Sequence, residues 1–332
     1  MSIKNSRLEK KHRKRRRIKR WVLVLLSFVM LLTLFGGYVI YKSTLAANHS
    51  FEELERGNKS KLRETAVNIH KDPFSLLILG VEDYSSGGHG GRADTLMVAT
   101  INPDDKSINL LSIPRDTQVE IPETGEIDKI NHSYNYGKEA TIETVENFLD
   151  IPIDYYATVN FDAFKNIVDV LDGITVNVPF DFYQNSDDRV AEKLYFYEGE
   201  MELDGRYALA YARMRKQDPT GDFGRNERQK EVVKAVIDKA LSPSTIFKID
   251  DLTKEIGNNV ETNIRPAEAI KMSKVFAGFD SSKISTVKLE GEDSTINNIY
   301  YFLPSEESVA SIQEDLKYHL DTHIQDQAFK NE

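Results

Sequence analysis

The stretch FSLLILGVEDYSSGGHGGRADTLMVATINPDDKSINLLSI, residues 74–113, decides the fold class. It holds three short apolar runs, 74–81, 93–101 and 107–113, bounded by Gly- and Pro-containing segments. Runs of that length and composition are expected of strands buried on both faces. Asn102-Pro103-Asp104-Asp105 leaves room for a turn but not for a crossover, so the second and third runs read as a hairpin. The loop 82–92, EDYSSGGHGGR, carries four glycines. Polar groups crowd the strand ends: Glu82 and Asp83 close the first, Arg92 and Asp94 open the second, and Arg115 and Asp116 follow the third. Carboxylates at neighbouring strand ends can share a hard cation such as Mg²⁺, which bridges to substrate phosphate.

Downstream, helical and alternating patterns take turns. Residues 139–149 read as an amphipathic helix and 155–161 as a strand. Residues 162–171 read as a helix capped by Asp162, with Phe164, Ile167, Val168 and Leu171 inward, and 174–178 as an alternating strand. Strand, helix, strand in this order predicts an α/β domain in which a mixed sheet lies between helices. Residues 183–199 are charged and aromatic and read as a mobile flap. A helix is expected to begin at Leu203-Asp204-Gly205. Others are expected over 245–256, 266–276 and 305–319, the last capped by Ser305, with a strand over 283–289.

The chemistry concentrates in YARMRKQDPTGDFGRNERQ, residues 211–229. Arg213 and Arg215 alternate, so an extended segment places them on one face. Arg225 and Gln229 are four apart, so a helix places them on another. The Pro219–Gly224 turn, with Asp218 and Asp222, would bring both faces to one point. Arg225 to Gln229 would open the helix continued by Val232, Val233, Val236 and Ile237, where free N–H groups favour an anion. Guanidinium forks match phosphate oxygens better than ammonium groups do. The arrangement predicts a phosphate clamp, whereas any one arginine taken alone reads as a surface ion pair.

Charge is divided along the chain. The net charge is −10, yet residues 1–20 contain eleven Lys or Arg and one Glu, which leaves roughly −20 for the remainder. An acidic body repels nucleic acid, so the arginines mark a local site. Residues 21–41, WVLVLLSFVMLLTLFGGYVIY, are uncharged and would measure about 31 Å as a helix, enough to span a bilayer. The basic N-terminal flank places the N-terminus in the cytoplasm and the rest outside the cell. The expected organisation is a basic cytoplasmic tail (1–20), a single transmembrane helix acting as an uncleaved anchor (21–41), a stalk (42–72) with a possible helix over 51–69, a catalytic domain (73–320) and a frayed tail (321–332). The absence of cysteine excludes disulfides and thiolate metal sites.

With these residues laid out, the chain resembles the LytR-CpsA-Psr family of membrane-anchored phosphotransferases. The segments that carry the resemblance include LLILGVED (76–83), GRADTLMVATINP (91–103), LLSIPRDT (110–117), KINHSYNYG (129–137), LDGRYALAYARMR (203–215) and GDFGRNERQ (221–229). The resemblance implies transfer of a glycopolymer, wall teichoic acid or capsule, from undecaprenyl pyrophosphate to peptidoglycan through a phosphodiester. It implies Mg²⁺ as cofactor, an extracytoplasmic site in a Gram-positive envelope, and an apolar groove for the prenyl chain. The metal acids would be Asp94 with either Glu82 or Asp83, because the family writes Gly-x-Asp where this chain has Gly80-Val81-Glu82-Asp83. Arg115, Arg213, Arg215, Arg225 and Gln229 match its pyrophosphate-binding positions. Arg92 and Arg228 lie beside them and join the same set, and Arg115 and Asp222 are the residues expected to act in catalysis. The alternatives are a surface binder or regulator that does not turn the polymer over, and a lipid pyrophosphatase using water as acceptor.

Overall fold

The structure, a computed structural model, describes residues 51–82, 92–187, 192–242, 245, 260–276 and 279–321. The basic tail, the apolar run 21–41, Asp83, residues 246–256 of one expected helix and the tail from 322 lie outside them. Among the described residues no helix is long and apolar enough to cross a membrane.

The three apolar runs form strands β1 (Phe74–Glu82), β2 (Arg92–Asn102) and β3 (Ser107–Ile113), paired antiparallel in succession. β6 (Tyr155–Asn160) joins β1 in parallel and β12 (Ile284–Lys288) joins β3 in parallel, while β11 (Val260–Thr262) pairs antiparallel with β6. The sheet order is β11-β6-β1-β2-β3-β12. It is mixed, as the short β2–β3 turn requires.

Alternation along each strand supplies two apolar faces. Leu77, Leu79, Val81, Val98, Leu111 and Ile113 meet α1 (Lys138–Leu149) and α6 (Glu306–Leu320) through Ile142, Val145, Leu149, Ile312 and Leu316. Phe74, Met97, Ile101, Ile108 and Leu110 face α4 (Asp222–Ala240) and α5 (Pro266–Val275), where Val233, Ile237 and Met272 are only partly buried. Each fully buried Leu or Phe contributes roughly 1.5–3 kcal/mol, so the paired faces dominate the folding energy. A separate cluster joins α2 (Phe161–Val170), α3 (Gly205–Arg213), β7 (Ile174–Val178) and β10 (Gly199–Leu203) around Val168, Val176, Leu203 and Tyr211.

Four local expectations are corrected. Among the described residues of 183–199 the expected flap is replaced by a hairpin: β8 (Phe182–Asn185) and β9 (Lys193–Phe196) pair, with Phe182 stacked 4.5 Å from a fully buried Phe196. The cap of α2 is Asn160, whose side chain accepts from the Ala163 N–H at 2.8 Å, rather than Asp162. Arg213 ends α3 and does not share a strand with Arg215. Residues 51–69 form no helix; Phe51 bridges to Thr262, and Leu54, Ser60 and Ile69 are buried.

That N-terminal segment is held by charge. Arg63 forks onto both oxygens of Asp154 at 3.1 and 2.7 Å, and Arg56 meets Glu146 at 2.8 Å. Lys138 reaches back to Glu52 at 2.6 Å. From Phe51 onward, the residues expected to form a stalk therefore pack on the body.

The short strands β4 (Gln118–Ile121), β5 (Glu126–Lys129), β13 (Gly291–Ile296) and β14 (Ile299–Pro304) form two further hairpins. In α6, Ser305 caps as expected, and His319 lies buried near the other end. Ser107 Oγ donates to Asp105 Oδ1 at 2.6 Å, so it accepts from His319 Nε2 at 2.7 Å. His319 Nδ1 then accepts from Thr100 Oγ1 at 2.8 Å. Burial lowers the ring's affinity for a proton, against a weaker pull from Asp105.

Candidate functional site

β1, β3, β6 and β12 all run in one direction, and β2 runs against them. The carboxyl ends of four strands and the amino end of β2 therefore share one edge of the sheet. In order across that edge stand Phe161 after β6, Glu82 in β1, Arg92 and Asp94 in β2, Arg115 beyond β3 and Lys288 in β12. Residues far apart in sequence thus meet where ligands of α/β sheets collect.

Asp94 is presented by an irregularity. The β1–β2 register slips between Gly80 and Val81, so Gly80 faces Thr95 and Val81 faces Ala93, with Asp94 left between. A Cβ on Gly80 would stand 2.9 Å from Thr95 Cβ, so glycine permits the close approach. Asp94 Oδ1 accepts from Arg115 Nη1 at 2.6 Å. Arg115 Nε lies 3.4 Å from Asp116 Oδ2, poorly aligned for a hydrogen bond, and Lys129 Nζ holds Asp116 Oδ1 at 2.7 Å. Asp94, Arg115, Asp116 and Lys129 form a row of alternating charge, with Asp94 and Arg115 about a quarter exposed at its open end.

The arginine stretch splits into different roles. Arg213 at the end of α3 lies 4.6 Å over the Phe161 ring, on the β6 flank of the edge. Arg215 is exposed on the following loop. Arg228 instead turns inward: its Nε donates to Tyr211 O at 3.1 Å, its Nη1 to the Asp218 carboxylate and its Nη2 to Met214 O, and it is 3% exposed. Asp218 Oδ1 also accepts from the Thr220 N–H at 2.7 Å and hydroxyl at 2.6 Å. Burial alone would raise the Asp218 carboxyl, but bonds from Thr220 and Arg228 outweigh it and hold it below the usual range. Any side chain at Gly224 would collide with that carboxylate. Gly221 then opens α4 from φ 61°, a left-handed conformation favouring glycine. Arg228 therefore fixes the turn, and its expected place in the phosphate clamp is corrected on that ground.

Arg225, 8% exposed in the first turn of α4, lines a small pocket with Arg115, Phe223, Asn226, Asp293 and Tyr300. Two arginines from distant parts of the sequence converge there, beside a helix N-terminus. Gln229 is half-buried one turn further along α4. A groove of about 530 Å³ adjoins the pocket between α4 and the β3–β12 edge, lined by Thr220, Lys230, Thr286 and Lys288 among others. The side chains of Glu82, Arg92 and Asp222 lie outside what the structure describes, as does Asp83. Among the described residues no three His, Cys, Asp or Glu side chains are grouped to hold a metal ion. Lys129, Asn226, Asp293 and Tyr300 were not foreseen as site residues; Lys129 and Asn226 lay in segments that carried the resemblance, Asp293 and Tyr300 did not.

The LytR_cpsA_psr family model matches residues 37–318, most of the chain. The chain belongs to the LytR-CpsA-Psr family. A Bacillus subtilis (strain 168) relative named polyisoprenyl-teichoic acid–peptidoglycan teichoic acid transferase TagV is 47% identical over 312 residues, covering 92% of this chain and 80% of that protein. The crystal structure of B. subtilis TagV shares 48% identity and a TM-score of 0.69, covering 76% of this chain and 98% of that one. A LytR-CPS2A-psr family protein, YwtF (TagT), with bound octaprenyl pyrophosphate lipid, shares 30% identity and a TM-score of 0.64 over 81% of this chain and 99% of its own. The LytR-CpsA-Psr fold, a central mixed sheet between helices, is the fold described here.

Proposed function

We propose that this protein transfers a phosphate-linked glycopolymer, wall teichoic acid or capsule, from an undecaprenyl-pyrophosphate carrier to a peptidoglycan hydroxyl, working outside the cell from the membrane anchor at residues 21–41. The observation that carries this is the convergence of Arg115 and Arg225 on one pocket beside Asp94. The relatives' names and the octaprenyl pyrophosphate held by TagT support the same reading.

Phosphoryl transfer asks a protein chiefly for alignment and charge stabilisation. Arg115 and Arg225 hold the pyrophosphate oxygens, with Arg213 on the β6 side, Arg215 on the loop that follows it and Gln229 behind Arg225. The acceptor hydroxyl attacks the phosphorus that carries the glycan; the bond to the lipid phosphate breaks, the hydroxyl's proton passes to the departing lipid phosphate, and the arginines stabilise the charge gathering there. The partly buried Val233, Ile237 and Met272 beneath α4 and α5 offer an apolar surface to the prenyl chain. Asp94 is an oxygen donor bonded to the pocket-lining Arg115, and Mg²⁺ is a metal bound by one or two carboxylates together with substrate phosphate, so the residue present fits it. Asp94 with Glu82 or Asp83 would hold the ion, which would neutralise phosphate charge. Asp222, at the start of α4, is assigned to steadying the arginines.

The test is incubation of the full-length protein in detergent with Mg²⁺, a short lipid-pyrophosphate-linked glycan and peptidoglycan oligomers, followed by mass spectrometry. A phosphodiester-linked product that EDTA abolishes supports the proposal. Tight binding without product, on substrates that a TagV control consumes, overturns it in favour of a binder or regulator. Lipid phosphate released without linkage to an acceptor would show a hydrolase.

A further inference from the structure

The β13–β14 hairpin is fastened next to Arg115. Phe302 N–H donates to Asp116 O at 2.9 Å, and Phe302 bridges to Thr117. In the hairpin register Asp293 faces Phe302 and Thr295 faces Tyr300, so these four share one side. Phe302 is buried against Phe223, ring centroids 6.0 Å apart, while Phe223 remains 37% exposed. Tyr300 Oη donates to Asp293 Oδ1 at 2.7 Å, which leaves the carboxylate's remaining acceptor positions available to a ligand. Asp293 and Tyr300 therefore form the wall of the pocket whose other lining includes Arg115 and Arg225.

A carboxylate is an unfavourable neighbour for a phosphate unless a proton-bearing group stands between them. A sugar hydroxyl is such a group, since it donates to the carboxylate while its oxygen points toward the phosphorus. Phe223 and Tyr300 present ring surfaces suited to the C–H face of a pyranose, and Asn226 supplies an amide that both donates and accepts. Asp293 is exposed and puts a negative charge on this wall, which disfavours a further phosphate and admits a neutral sugar. We propose that Phe223, Asn226, Asp293 and Tyr300 form the acceptor subsite, which binds a neutral, hydroxyl-bearing sugar ring of the peptidoglycan glycan with that hydroxyl on Asp293. This rests on the transferase reading above and adds the side from which the acceptor enters.

The test measures transfer by the full-length protein in detergent, varying peptidoglycan oligomer at saturating lipid-linked donor and then the reverse. Asp293→Asn is expected to raise the acceptor KM about tenfold, the scale of one charge-assisted hydrogen bond, and Tyr300→Phe about threefold. The donor KM should stay within twofold for both. Thr295→Ala, on the same side of the hairpin but outside the pocket lining, should change neither. An acceptor KM unchanged by Asp293→Asn, an equal rise in donor KM, or an equal effect from Thr295→Ala overturns the subsite while leaving the transferase standing. Absence of transfer by the unmodified protein overturns both.

Discussion

Arg115 Nη1 and Asp94 Oδ1 are 2.6 Å apart, so the cation proposed to bind phosphate and the carboxylate proposed to bind metal are each other's partner. Each can hold the other in position until substrate arrives. Because both are about a quarter exposed, the pair contributes at most about 1 kcal/mol to stability. Arg115→Lys and Asp94→Ala should each lower kcat for transfer by about 10²–10³ with little change in melting temperature. Full transfer activity in either variant would remove the site from this edge of the sheet.

Arg228 and Asp218 should behave in the opposite way. They are 3% and 4% exposed, and breaking a buried pair costs about 3–5 kcal/mol. Arg228→Ala or Asp218→Ala should show that loss in urea denaturation, with activity falling because the turn before Arg225 loosens. Arg215→Ala, at an exposed position, should cost less than about 0.5 kcal/mol. Because the Asp218 carboxyl is depressed, its stabilisation is present above the ordinary carboxylate value of 3.8 and disappears as pH falls below it.

His319 makes a second, separable prediction about pH. Its folded-state proton affinity is lowered, so the unfolded chain takes up the proton first as pH falls below 6.5. Stability contributed by the neutral ring is full above that value and declines toward pH 5. Melting temperatures measured between pH 7.5 and 5 should fall, and His319→Gln should flatten part of the slope. An unchanged slope in the variant would assign the decline to other groups.

The segment 51–72 should prove necessary for folding. Arg63→Ala leaves Asp154, 5% exposed, without its bidentate partner, and about 3–5 kcal/mol should be lost. A chain beginning at residue 47 should give a cooperative melt. One beginning at residue 73 should not.

The elements legible in sequence were those whose burial is apolar and periodic. β1, β2 and β3 are uninterrupted enough to be read directly, and β7 alternates in burial as its letters do. β13 and β14 escaped notice because GEDSTI is largely exposed and its pairing is local. The segment 51–72 read as a stalk because charges hold it down, Arg56 on Glu146 and Arg63 on Asp154, and charge pairs have no period. Arg225 and Arg228 lie three residues apart in one helix, and residue type could not say which faces the pocket. What separates them is Asp218, packed against Gly224 and bonded to Arg228, a tertiary contact.

Both outer strands of the six-stranded sheet come late in the chain: β11 at 260–262 and β12 at 284–288 close edges left open by β6 and β3. β12 must find a partner more than 170 residues back. Pairings of such sequence separation raise contact order and slow folding. Until they form, β3 and β6 present unpaired backbone that could join a neighbouring chain. The hazard is therefore greatest during synthesis, before residue 288 has emerged, and refolding from urea should be slow and sensitive to protein concentration.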